Sequence, residues 1–194
     1  MKSRETLKIV LLTAACIAVI ACGILLSKVF SKDSSDTDQT PVNVNVITAE
    51  DGYAYGQPGD TMRNVFFDFI VNHAETAGSY GSLQADSGSQ FVIVNLTVAN
   101  PSRAELPMFD TDFQLIWGSE EDEWEVPITY YDQSVYKEGM LKAEYTVSAG
   151  EKVSGDLVFQ VPAGAAGFVI YYEEFFDSGE HGDVYAVELN LSDN

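Results

Sequence analysis

The chain has 194 residues, of which 30 are acidic and 10 basic, and this length favours one domain with appendages. Five of the basic residues lie within residues 1–32, so five basic and 29 acidic residues remain beyond them, a net charge of −24. A negatively charged surface repels phosphate groups. This excludes nucleic acid as a partner, and it excludes docking of the part beyond residue 32 on anionic lipid. The 10 Tyr and 2 Trp, all beyond residue 42, exclude a chain that is disordered throughout.

An uncharged run covers residues 9–27 and is flanked by Lys8 and Lys28. As a helix these nineteen residues would span about 28 Å, close to the thickness of the bilayer hydrocarbon. Three basic residues precede the run and two follow it, which favours a cytoplasmic N-terminus. We therefore predict a cytoplasmic segment 1–8, a transmembrane signal anchor over 9–30, and a single-pass protein of the cell membrane with its C-terminal domain extracellular.

A second interpretation of the same run is a lipoprotein signal peptide that ends before Cys22. Val19, Ile20 and Ala21 precede Cys22 as in a bacterial lipobox, and the cysteine would be lipidated and become the new N-terminus. Apolar residues continue after Gly23, whereas a lipoprotein usually turns polar at once. Both interpretations stay open at this point, and each tethers the distal domain outside the membrane.

Residues 31–60 follow as a polar spacer and lead-in. Residues 31–41 have no apolar side chain, and 51–60 hold three Gly and one Pro, which indicates a turn region. Between them Val42, Val44 and Val46 alternate with Asn43 and Asn45, the pattern of a short strand.

Residues 61–194 alternate apolar and polar side chains in short stretches separated by turn residues. Seven strands are predicted, with these inward-facing residues: Val65, Phe67, Phe69 and Val71; Val92, Val94, Leu96 and Val98; Phe113, Leu115 and Trp117; Trp124, Val126 and Ile128; Val153, Leu157, Phe159 and Val161; Phe168, Ile170 and Tyr172; Tyr185, Val187 and Leu189. Gly155 in the fifth indicates a bulge or a close backbone approach. The pattern predicts an all-β fold, an antiparallel sandwich of about seven to eight strands.

Four stretches also resemble a known family, in matching order and spacing. They are DTMRNVFFDFIVN at 60–72, FVIVNLTVAN at 91–100, LPMFDTDFQLIW at 106–117 and SAGEKVSGDLVFQVP at 148–162. Together they resemble the immunoglobulin-like lipoproteins, secreted or membrane-anchored domains of unknown function from Gram-positive bacteria, similar in fold to a secreted mycobacterial immunogenic antigen. The resemblance covers about residues 55–190 and implies an immunoglobulin-like sandwich on the cell surface. It implies no catalytic or ligand residues.

Catalytic motifs are lacking from the sequence. Both cysteines, Cys16 and Cys22, fall in the apolar run, so the distal domain has no thiol nucleophile or thiolate metal site. Its two histidines, His73 and His181, have no nucleophile placed beside them by a motif. We therefore expect a protein that is not an enzyme and has no cofactor, unless calcium binds.

Acidic clusters raise the calcium alternative. Asp110 and Asp112 lie two apart before a strand, and Glu173 and Asp177 border a later loop. Calcium takes six to eight oxygen ligands, and exported domains use weak sites of this kind. The other interpretation is a solvated turn that keeps the domain soluble. The four residues are thus candidate ligands of an exported calcium-binding or metal-sensing module.

Adjacent aromatic residues allow a third interpretation. Tyr130, Tyr131 and Tyr136 fall in a stretch without periodicity, and Tyr171-Tyr172 and Phe175-Phe176 are neighbouring pairs. They could form a contact surface for an envelope protein, a peptide or a glycan, or could pair across strands. The expected function is a membrane-tethered extracytoplasmic immunoglobulin-like domain with a cell-surface interaction or envelope-associated role.

Overall fold

A computed structural model describes residues 45–191, except 119 and 121. The predicted membrane run, Cys22 and the strand residues Val42 and Val44 lie outside the described residues. Within residues 45–191, those two positions apart, no helix is long and apolar enough to cross a membrane. The described residues up to Trp117 and from Trp124 onward form one compact unit, while the turn between them belongs to another. In that turn the Glu120 N–H donates to the Glu123 carboxylate at 2.7 Å.

The unit is built of strands joined by short turns, and no α-helix occurs in the described part. The strands are β1 (Val46–Ile47), β2 (Tyr53–Gly56), β3 (Thr61–Arg63), β4 (Asp68–Ala77), β5 (Ser79–Tyr80), β6 (Leu83–Gln84), β7 (Ser89–Ala99), β8 (Leu106–Phe109), β9 (Gln114–Ile116), β10 (Trp124–Glu125), β11 (Glu144–Val147), β12 (Lys152–Pro162), β13 (Val169–Phe175) and β14 (His181–Glu188). Three 3₁₀ turns cover Asp110–Asp112, Ile128–Tyr130 and Gln133–Val135.

Two five-stranded sheets form a β-sandwich. One has the order β1-β3-β4-β7-β12 and the other β10-β9-β13-β14-β2, with two small two-stranded sheets, β8-β11 and β5-β6, beside them. Phe69, Leu96 and Leu157 of the first sheet and Ile170 and Tyr185 of the second are buried in one apolar cluster. The predicted all-β sandwich is therefore present, because the alternating residues of both sheets bury their apolar side chains between them.

The prediction of a purely antiparallel sandwich is wrong at two sheet edges. β4, β7 and β12 pair antiparallel, as do β13 and β14, but β1 pairs parallel with β3 and β2 pairs parallel with β14. Both parallel strands come from the segment that the sequence assigns to the lead-in, and β2 lies within its turn region. The backbone of this segment completes both sheets, which short strands can do without a clear apolar pattern.

The predicted inward faces are confirmed in most strands. Val92, Val94, Leu96 and Val98 are all fully buried. Val65 is an exception at 67% exposed. The chain bends there, because the Asn64 side-chain oxygen accepts the N–H groups of Phe66 and Phe67 at 2.8 and 2.9 Å. β4 consequently begins only at Asp68. Likewise Trp124 is 37% exposed, and Ile128 lies in a 3₁₀ turn and not in the predicted fourth strand.

Residues 139–141 form a covering segment that makes backbone hydrogen bonds with the middle of the edge strand β12. The Leu141 N–H donates to the Asp156 carbonyl at 3.0 Å, and the Asp156 N–H donates to the Gly139 carbonyl at 2.8 Å. A Cβ at Gly155 would lie 2.9 Å from the Leu141 nitrogen. The ladder between β7 and β12 has no register shift, so the structure shows the close backbone approach and not the bulge. Only glycine leaves room for this covering segment.

Strand directions define two ends of the sandwich. β1 and β3 run in the same direction, so the turns 50–53 and 64–67 lie at the same end. The β13–β14 loop lies at this end too, because the Val65 N–H donates to the Glu174 carboxylate at 2.9 Å. We call this the apical end.

Candidate functional site

A cleft of about 350 Å³ opens beside the covering segment. It is lined by Thr129, Gln133, Tyr136, Lys142, Ala143 and Glu144. Ligand pockets in proteins typically measure about 300–1,000 Å³, so the cleft suits a small ligand or one side chain of a larger one. Its groups are a hydroxyl, an amide, a phenol, an ammonium and a carboxylate, which can both donate and accept hydrogen bonds.

Local sequence features fix both walls of the cleft. Pro127 precedes the 3₁₀ turn Ile128–Tyr130 with φ −56°, and the Asp132 side chain caps the turn Gln133–Val135 by accepting the Ser134 N–H at 2.9 Å. On the other wall Glu144 is held by strand pairing with Phe109. Since each wall has its own hydrogen bonds, the cleft does not depend on a ligand for its shape.

Asp110 joins the two walls. Its carboxylate is buried and accepts a hydrogen bond from the buried Thr129 hydroxyl, while its N–H donates to the Ala143 carbonyl at 3.1 Å. Burial raises the pKa of the Asp110 carboxyl, and the Thr129 hydrogen bond offsets part of that rise. The predicted calcium ligand thus serves as a support beneath the cleft in this structure.

Asp112 lies in the same 3₁₀ turn as Asp110. Its carboxylate accepts the Phe109 N–H at 2.8 Å. Burial raises the pKa of Asp112, and the nearby negative charge of Asp110 raises it further. The structure therefore brings the first predicted pair together, but with each carboxylate bonded to donors of the protein.

The second predicted pair borders the β13–β14 loop at the apical end. Glu173 contacts the His181 ring nitrogen at 2.8 Å and accepts the Tyr171 hydroxyl at 3.1 Å, whereas Asp177 is exposed in the loop. In the part of the chain that the structure describes, no group of three or more His, Cys, Asp or Glu side chains is placed to hold a metal ion. The calcium site stays a prediction from the sequence.

Exposed tyrosines border the cleft. Tyr130 and Tyr131 are 62% and 67% exposed, and their rings meet edge to face with centroids 5.2 Å apart. The Tyr131 hydroxyl donates to Glu125 at 2.7 Å, and this hydrogen bond raises its pKa to about 12. Tyr136 is also exposed and lines the cleft itself. By contrast, Tyr171 and Tyr172 are buried, so the contact-surface interpretation does not apply to that pair.

Sequence reasoning did not single out the cleft residues Thr129 and Lys142. They are thirteen positions apart in the sequence, and nothing in the residues around either one shows that the other lies opposite. One signal was present: the stretch ITYYDQSVYKEGM at 128–140 is aromatic and polar but has no strand periodicity. A segment of that kind has no buried face of its own, so its aromatic side chains are available at the surface.

Replacing Asp110 by Asn is expected to raise the melting temperature by a few degrees at pH 7. A folded-state pKa above the ordinary aspartate value of 3.8 means that the folded protein loses stability as pH rises through the raised pKa. Asparagine keeps an acceptor for Thr129 without the charge, so the gain should vanish below pH 3.8. Thermal unfolding of both proteins across this pH range measures the difference.

The matched control is Asp132→Asn at the exposed cap, where asparagine also caps and little change is expected. A lower melting temperature for Asp110→Asn at pH 7 would contradict the prediction. If that loss were accompanied by stabilisation of the unmodified protein by calcium, but not by magnesium at equal ionic strength, the carboxylate would hold a cation.

Comparison with known proteins places the sandwich in a family. The profile of the family described as "Domain of unknown function (DUF4352)" matches residues 56–181, well over half of the chain. The chain belongs to the DUF4352 family. The resemblance to domains of unknown function is thereby confirmed, while the narrower assignment to immunoglobulin-like lipoproteins stays a prediction. No curated protein matches the chain.

Solved structures similar to this DUF4352 chain come from Gram-positive bacteria. A functionally unknown protein from Listeria monocytogenes EGD-e is 10% identical, with TM-score 0.50, over 71% of this chain and 84% of that one. The yjhA protein from Bacillus subtilis is 18% identical, with TM-score 0.49, over 70% and 99%. A Bacillus subtilis protein described as a "putative lipoprotein" (ycdA) is 17% identical, with TM-score 0.46, over 66% of this chain and 38% of its own length. The Listeria likeness shows a shared fold and nothing about activity.

Proposed function

We propose that this DUF4352 protein is a membrane-tethered, extracytoplasmic immunoglobulin-like module that binds a protein, peptide or glycan of the cell envelope and is not an enzyme. The tether is supported by the uncharged run 9–27, which serves either as a signal anchor or as a lipoprotein signal peptide ending before Cys22. The net charge of −24 beyond residue 32 keeps the tethered domain off anionic lipid.

The immunoglobulin-like assignment is supported by the order of the main strands. β4, β7 and β12 are neighbours in one sheet, and β10, β9, β13 and β14 in the other. The chain therefore crosses between sheets from β7 to β9, returns from β10 to β12, and crosses again to β13. This is the Greek-key order of an immunoglobulin sandwich, in which the first, second and fifth strands share a sheet.

The observation that carries the binding role is the exposed tyrosine pair beside the cleft. Rigid tyrosines supply large contact area and a polar tip at low entropy cost, and they are frequent in binding surfaces. The hydrogen bond to Glu125 already holds Tyr131 in place, so little side-chain entropy is lost when a partner binds. Neither His73 nor His181 lines the cleft.

The test uses the full chain on wall-stripped cells. Labelled wall glycan strands, wall peptides and secreted envelope proteins are offered separately, and at least one is expected to bind. The double substitution Tyr130→Ser with Tyr131→Ser should weaken that binding about tenfold or more, which corresponds to about 1.4 kcal/mol. Protease added outside should abolish it, because the domain is extracellular.

The control is Tyr55→Ser, since Tyr55 is exposed on β2 and away from the cleft. Binding that survives the double substitution would overturn the role of the tyrosines. Binding sites that stay protected from external protease would overturn the extracellular placement.

A further inference from the structure

We propose that the apical end of the sandwich is a second docking surface, for a polypeptide that presents apolar side chains flanked by lysine or arginine. The surface, which we call the apical patch, consists of Val65, Phe66, Phe175 and Phe176. It lies on loops that do not line the cleft, so the proposal is independent of the tyrosine pair.

Two of the four apical-patch side chains are largely exposed. Val65 is 67% exposed and Phe175 is 61% exposed, whereas Phe66 and Phe176 are half-buried. The Phe66 and Phe176 rings contact each other, with centroids 5.4 Å apart, and so join the two loops. Val65 and Phe175 each neighbour one of these rings in the sequence, and exposed apolar side chains that are grouped mark interaction sites more often than isolated ones do.

A buried carboxylate holds the patch in place. Glu174 accepts the Val65 N–H at 2.9 Å, the Asp183 N–H at 3.1 Å and the Tyr185 hydroxyl at 3.3 Å. A Cβ at Gly182 would lie 2.6 Å from a Glu174 oxygen, so the strands close tightly around the carboxylate. The apolar side chains are thus presented on braced loops, which lowers the entropy cost of binding.

Charge around the patch identifies the class of partner. Residues 173–183 contain five carboxylates and no Lys or Arg. Asp177 and Glu180 are exposed, and Glu173 contacts His181, whose ring lies 4.9 Å from that of Phe175. An apolar centre within a negative rim is complementary to apolar residues bordered by positive ones. The same charge opposes anionic lipid and a second copy of this chain.

The test measures binding of synthetic peptides to the full chain in detergent micelles by calorimetry. One peptide has three leucines flanked on each side by two lysines, and the other has glutamates in place of the lysines. The lysine peptide is expected to bind, to weaken as salt is added, and to lose about tenfold or more in affinity with Val65→Ser and Phe175→Ser together. The glutamate peptide should not bind.

Two control variants separate the apical patch from other surfaces. The double change Tyr130→Ser with Tyr131→Ser should leave binding of the lysine peptide unchanged. The same is expected of Phe109→Ser, which alters an exposed phenylalanine on β8. Equal affinity for both peptides, or full affinity in the Val65 and Phe175 variant, would overturn the proposal. So would a dimer or binding to anionic vesicles that the same two substitutions abolish.

Discussion

Val94→Asp is expected to unfold the domain. Val94 is fully buried on β7, which lies between β4 and β12. An unpaired carboxylate in that position costs several kcal/mol, against a total stability of roughly 5 to 15 kcal/mol for a domain. Circular dichroism and a denaturant titration should show loss of the cooperative transition, or a large fall in its midpoint.

The matched control is Val65→Asp, the same substitution at a residue that is 67% exposed. Its expected effect on the free energy of unfolding is within about 0.5 kcal/mol, as for most surface changes. Equal losses at the two positions would mean that Val65 is buried, as the alternation of apolar residues in the sequence predicts, and would contradict the bend at residues 64–67.

The second large effect is expected for Glu174→Ala. The substitution leaves the N–H groups of Val65 and Asp183 and the hydroxyl of Tyr185 without their acceptor. A buried donor left without its acceptor typically costs about 1 to 3 kcal/mol, and this substitution leaves three such donors. We expect a corresponding fall in the free energy of unfolding, measured by denaturant titration, together with faster amide hydrogen exchange at Val65 and Asp183.

Glu173→Ala tests the same chemical change one residue earlier. The Glu173 carboxylate is partly exposed and pairs with the exposed His181, so its loss should cost about 1 kcal/mol or less. Similar costs at both positions would show that Glu174 does not brace the apical loops. A large cost at Glu173, together with stabilisation of the unmodified protein by calcium, would instead favour the predicted metal site.

Glu173 and Glu174 show why the sequence alone could not distinguish a carboxylate that stabilises the fold from a candidate metal ligand. They are adjacent and identical in type, and the acidic run around them predicts solvated side chains. A bulge between Glu173 and Phe175 in the pairing of β13 with β14 lies at this point. Glu174 takes the next inward position after Ile170 and Tyr172, while Phe175 is exposed. A polar side chain therefore stands where the alternation predicts an apolar one.

The sequence by itself determined the all-β class, the main strands and most of their inward faces. Alternation in 92–98, 153–161 and 168–172 predicts the buried face, because successive side chains of a strand point to opposite sides of a sheet. That inference needs no knowledge of any other segment. It held for Val94 and Leu157 because a long strand cannot shift its register without exposing its whole apolar face.

Only the tertiary structure decided the sheet edges, the cleft and the apical patch. β1 and β2 complete the sheets through backbone pairing, the Asp110–Thr129 contact joins residues nineteen positions apart, and Glu174 reaches Val65 across 109 positions. These features depend on which segments become neighbours. The physical reason is that a hydrogen bond or an apolar contact across the fold is specified by geometry at both partners, and local periodicity carries information about one partner only.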